Sequence, residues 1–201
     1  MTLETFLYIG IVIYSIILHE IAHGYTAYTF GDNTAKREGR LSLNPLPHLD
    51  PVGSVLLPLM AVVSGFGVFG WAKPVPIDPS YLNTKFKDIL VSAAGILTNF
   101  LLCFIFLLIV KLDIAPIYNK LLLMAASVNL GLGIFNLLPF PPFDGLQILR
   151  AVFPKLKHKF IHFEYNPAAM ITSILIAGYV FSLFFPAVLN FIFGLFFGQT
   201  N

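Results

Sequence analysis

The chain has 201 residues, 57% of them hydrophobic and only 11% charged, whereas a soluble domain carries roughly 25% charged residues. That excludes an ordinary water-soluble globule and points to an all-α polytopic membrane protein, read as a single domain over residues 1–201. A net charge of +2 with no basic run outside the loops leaves no footprint for nucleic acid. The lone Cys103 cannot form an internal disulfide.

Five apolar stretches follow in order, at 3–30, 52–70, 89–110, 121–139 and 168–197. A membrane span needs about 20 apolar residues. The first stretch has no Lys or Arg before Lys36, so it lacks the basic start of a cleaved leader and reads as a retained first span. Inside it lies His19-Glu20-Ile21-Ala22-His23. A helix puts residues four apart on one face, so the two imidazoles can hold one metal ion together. Glu20 sits where a general base for a metal-activated water belongs. Ionisable groups are costly in a bilayer, and such a cluster marks a functional site.

Leu41 and Leu43 alternate with polar neighbours, which predicts a short strand. His48, between Pro47 and Asp50 in the same loop, reads as an interfacial or gating residue. The second apolar stretch is short and broken: Val52 to Val63 contains Pro58, and a glycine-rich run reaches Gly70. That predicts a re-entrant segment over 52–70, since irregular backbone at membrane depth must be sheltered by protein. Trp71-Ala72-Lys73-Pro74-Val75-Pro76-Ile77 cannot be helical, and its alternate prolines suit an extended edge strand or a polyproline segment. Asn99, inside the third stretch, reads as a structural amide bonding to a neighbouring element. The segment 146–163 reads as an interfacial helix or loop, with His158 and His162 on its surface.

About four spanning helices therefore remain. If 52–70 does not cross, the loops 31–88 and 140–167 carry ten Lys and Arg, and the other side only Lys111 and Lys120. The positive-inside rule then places the loops in the cytoplasm and the N-terminus outside. In this arrangement the first and third spans run the same way. His23 lies about 10 Å from the inner end of its helix, and the motif Asn136-Leu137-Leu138-Pro139-Phe140-Pro141-Pro142-Phe143-Asp144-Gly145 emerges at that same end. Asp144 is the candidate third ligand, although Asp-Gly also makes an ordinary turn. Asn136 is a candidate catalytic amide or a helix-packing one.

With these motifs the chain resembles the site-2 protease family of intramembrane zinc metalloproteases. The resemblance rests on His19-Glu20-x-x-His23, on Asn136-x-x-Pro139-x-Pro141-x-x-Asp144-Gly145, and on Gly95-Ile96-Leu97-Thr98-Asn99, where Ile96 stands in place of a usual proline. It covers roughly residues 8–150, and the form without PDZ or CBS domains is similar to a compact prokaryotic branch in the cell membrane. The resemblance implies one zinc per chain held by His19, His23 and Asp144, with Glu20 as proton carrier and Asn136 as oxyanion support. It implies a membrane-spanning protein substrate presenting extended backbone, to which a strand near 71–77 adds by pairing. A metal transporter or sensor would not need Glu20 and would show repeated halves. A silent scaffold relative would not need the whole set of matched positions.

Overall fold

The computed structural model describes residues 2–56, 72–156 and 166–198. Helix α1 spans Leu3–Thr29, and the hydroxyl of Thr2 caps it by accepting the Thr5 N–H at 3.2 Å. A short turn of helix, α2, follows at Thr34–Arg37. Helix α3 covers Lys85–Lys111, capped by Thr84, with Asp88 in its first turn and Lys111 in its last; these charges oppose the partial charges at the helix ends. Helix α4 runs Asn119–Leu137 and stops where Leu138, extended before Pro139, can no longer continue it. Helix α5 is the nine-residue Asp144–Val152. Helix α6, Pro167–Phe197, starts on the Asn166 side-chain cap with proline in its first turn.

Among the described residues, four helices are long and apolar enough to cross a membrane. They correspond to the four long stretches read from the sequence. Leu97, Leu101, Leu175, Leu183 and Phe191 are all more than half exposed, an outer surface that suits hydrocarbon rather than water.

α1 and α4 run parallel. Glu4 and Lys120, near their first turns, form an ion pair at 2.5 Å, and at the far end His23 meets Asp144 just beyond α4. α3 runs between them in the opposite sense and packs against both. Close approach rests on small residues, as helix packing in lipid requires: a Cβ on Gly133 would come within 2.5 Å of the Phe100 ring. One apolar core joins Cys103 and Leu107 of α3 to Ala126 and Leu130 of α4, with Phe185, Phe193 and Phe196 of α6 packed against it. A second joins Phe143 to Ile174 and Ala177 of α6.

Among the described residues no strand forms, which corrects the strand expected at Leu41–Leu43 and leaves, for 72–77, the non-strand alternative expected over 71–77. Residues 41–43 are bends. Residues 72–78 lie outside regular structure, as the prolines require, but their hydrogen bonds go to side chains and a loop rather than to a neighbouring strand. The Lys73 N–H donates to the His48 carbonyl at 2.9 Å, and the Lys73 carbonyl accepts from Arg40 Nη2 at 2.6 Å. The N–H groups of Val75 and Asp78 donate to the carboxylates of Glu20 and Asp32, both at 2.8 Å. Pro74 and Pro76 have no N–H to offer a ladder. Of residues 52–70, where a re-entrant segment is expected, 52–56 belong to a π-helical turn at Pro51–Leu56; the others lie outside the described residues, as do His158 and His162.

Asp32 is the buried anchor of this strap, only 1% exposed, and it also accepts the Thr34 N–H at 2.9 Å. Burial pushes its carboxyl up, but the hydrogen bonds from Thr34 and Asp78 outweigh that and hold it below the ordinary value. A lowered carboxyl stabilises the fold above the unfolded-state pKa and loses that contribution as pH falls through its folded value. Thermal unfolding between about pH 3 and 7 should therefore show an acid-side loss of stability that is weaker in Asp32→Asn. Asp32→Ala should cost about 1–3 kcal/mol at neutral pH, because two N–H groups lose their acceptor.

Candidate metal centre

Periodicity brings His19 and His23 to one face of α1, and the antiparallel crossing of α3 covers that face. His19 is 5% and His23 7% exposed. Asp144 arrives from the first turn of α5, and Gly145 lets that turn sit against the end of α4: a Cβ there would collide with the Leu137 carbonyl. Three donor atoms converge. His19 Nε2 and His23 Nε2 are 3.1 Å apart, and Asp144 Oδ2 lies 3.0 Å from the first and 3.1 Å from the second.

The other nitrogen of each ring is anchored. His23 Nδ1–H donates to the Val91 carbonyl at 2.7 Å, an atom that can only accept. His19 Nδ1–H donates to Asn99 Oδ1 at 2.6 Å. Both Nε2 lone pairs are therefore turned toward the carboxylate. Burial pushes the Asp144 carboxyl up, but when the two rings are also protonated at Nε2 their hydrogen bonds and charges bring it down to about 2. Three acceptors this close need positive charge between them, either protons on the rings or a metal ion.

The residues fit a metal ion. Tetrahedral zinc with ligand bonds of about 2.0–2.1 Å places its donors roughly 3.3 Å apart, close to the spacing found. Two imidazoles and one carboxylate form a known catalytic donor set that leaves a fourth position open. Room beside the nitrogens is kept by Gly95, where a Cβ would stand 2.5 Å from both Nε2 atoms.

Glu20 is half-buried and is not one of the three clustered donors; its Oε2 is held by the Val75 N–H. Asn136 is half-buried at the end of α4 and donates to the Leu132 carbonyl of its own helix at 3.0 Å. His48 is buried and donates from Nε2 to the Ser42 carbonyl at 2.8 Å, closing the loop. Asn99 is buried, and its Oδ1 accepts from the His19 ring. Ser15, Val75, Val91 and Asn129 were not singled out from the sequence. For Ser15 and Asn129 a signal existed: uncharged polar residues in otherwise apolar spans.

Residues 112–180, which include Asn136 and Asp144, match Peptidase family M50. The chain is 40% identical over 168 residues to the Bacillus subtilis (strain 168) protein named "Putative zinc metalloprotease YwhC", covering 77% of this chain and 72% of that one. It is 33% identical over 139 residues to "Putative zinc metalloprotease Rip2" of Mycobacterium tuberculosis (strain ATCC 25618 / H37Rv), covering 67% of this chain and 52% of that one. No solved structure matches. The chain belongs to peptidase family M50, the site-2 protease family that its motifs resemble.

Proposed function

We propose that the chain is a zinc-dependent endopeptidase that hydrolyses peptide bonds of membrane-spanning proteins within or beside the bilayer of a prokaryotic cell membrane. One observation carries this reading: three convergent donors enclosed by α1, α3 and the start of α5, with a carboxylate, Glu20, next in sequence to the first of them. His19, His23 and Asp144 would hold one zinc per chain. When bound, zinc supplies a Lewis acid that polarises the scissile carbonyl and makes water a nucleophile near neutral pH.

The remaining work falls to this chain's side chains. Glu20 takes a proton from the attacking water and returns it to the leaving amide nitrogen. The Val75 N–H holds Oε2, which leaves Oε1 for the proton. Asn136 is the candidate to donate to the developing oxyanion, and in that role its amide must leave the Leu132 carbonyl. Substrate must present extended backbone, because a helix hides its carbonyls in its own hydrogen bonds. The charge asymmetry of the loops supports access from the cytoplasmic side.

The purified chain should contain one zinc by elemental analysis and should cleave a single-span reporter substrate in liposomes. A chelator should stop cleavage and added zinc restore it. His23→Ala should lose both metal and activity. A wild-type chain without metal, or full metal retention in His23→Ala, would sink the assignment. Zinc without cleavage would instead favour a transporter, sensor or silent scaffold.

A further inference from the structure

We propose that Ser15, Asn99 and Asn129 form a positioning relay across three helices that fixes His19 as a metal ligand. The proposal rests on the zinc reading above and adds to it residues that touch neither metal nor substrate. All three are sealed in the bundle: Asn99 is 0%, Asn129 1% and Ser15 4% exposed. They come from α3, α4 and α1 in turn, and they lie in membrane-spanning stretches where an unpartnered polar group is costly.

The hydrogen bonds run in one direction. The Asn129 amide group donates to Ser15 Oγ and to the Ala125 carbonyl, both at 2.9 Å. That turns Asn129 Oδ1 toward Asn99, whose amide group donates to it at 2.9 Å and points toward the Ser15 carbonyl at 3.5 Å. Asn99 Oδ1 is then left facing His19 Nδ1 at 2.6 Å. Flipping either amide would set two donors or two acceptors against each other at buried positions. The polarity set at Ala125 and Ser15 is thus passed to the imidazole. With Nδ1 protonated, the Nε2 lone pair of His19 is the one aimed at His23 and Asp144. His23 needs no such chain, because its Nδ1 rests on a backbone carbonyl that cannot flip. His19 depends on a rotatable amide, and Asn129 is what stops it rotating.

Zinc affinity should be measured on the full chain in detergent by chelator competition, for wild type, Asn99→Leu, Asn129→Leu and the double variant. Leucine fills nearly the same volume without the hydrogen bonds. Each single change should weaken zinc by about 10–100-fold, the usual cost of losing an outer partner of a metal-bound histidine. The double variant should be no weaker than the worse single one, because both changes break the same chain. Losses that multiply would mean two separate packing defects and would overturn the relay, as would unchanged affinity in Asn129→Leu. Cobalt in place of zinc gives a second readout, with absorption bands expected to shift in Asn129→Leu. Should that variant not fold, Ser15→Ala keeps the test open. It should show a smaller affinity loss in the same direction, and unchanged affinity and spectrum there would overturn the proposal. A wild-type chain that binds no zinc would remove the underlying reading and the relay with it. Wild-type binding with unaffected variants removes the relay alone.

Discussion

Glu20→Gln should keep its zinc and lose cleavage of a membrane-spanning substrate by about 10²–10⁴-fold, the usual cost of removing a general base. The substitution preserves shape, and the amide oxygen of glutamine can still accept the Val75 N–H that Glu20 Oε2 accepts at 2.8 Å. Position is kept while basicity goes. Because Glu20 lies outside the three-donor cluster, metal content by elemental analysis should match the wild type. Cleavage at the wild-type rate would reject Glu20 as the proton carrier. Loss of zinc would make it a ligand and leave the base unidentified. Asn136→Ala should also keep zinc, with a smaller loss of activity than Glu20→Gln.

Gly95→Ala should abolish zinc binding, lowering affinity by more than the roughly 100-fold upper range for outer partners. Its new methyl group would stand 2.5 Å from His19 Cε1, His19 Nε2 and His23 Nε2, so both rings must move or α1 and α3 must part. Alanine is the better helix former by about 1 kcal/mol, so propensity alone does not weaken α3. The loss should therefore appear in zinc competition without a matching loss of helical circular dichroism. Gly178→Ala is the control. Nothing lies within 4 Å of a Cβ at that site, and both metal affinity and helicity should stay unchanged. Wild-type zinc affinity in Gly95→Ala would show that the two rings do not need the gap.

Much of this site is legible in the chain because its parts obey short-range rules. His19 and His23 share a face by the helical repeat, and the span lengths follow from bilayer thickness. Asp144 needs one further step, the parallel direction of the first and third spans, which loop charges supply. What stays hidden depends on which helix faces meet. Nothing local to Asn99 or Asn129 says that they face each other, nor does Gly95 announce that two imidazoles lie over it. The proline-rich segment shows a different limit. Its alternation ruled out a helix, but the acceptors for its N–H groups are the carboxylates of Glu20 and Asp32, distant in sequence. Extended backbone was thus legible, and its partners were not.

His23 and Asp144, which touch at 3.1 Å, are 121 residues apart in the chain. During synthesis His23 leaves the ribosome 121 residues ahead of Asp144. Until then the nascent protein carries two imidazoles and no carboxylate to complete the donor set. A metal held by all three can be captured only after the third span is in place and α5 has folded against it. Under the proposed function, the half-inserted chain is inert, unable to cut neighbouring spans or its own. Under that same reading, metal uptake would come last, after the bundle has closed.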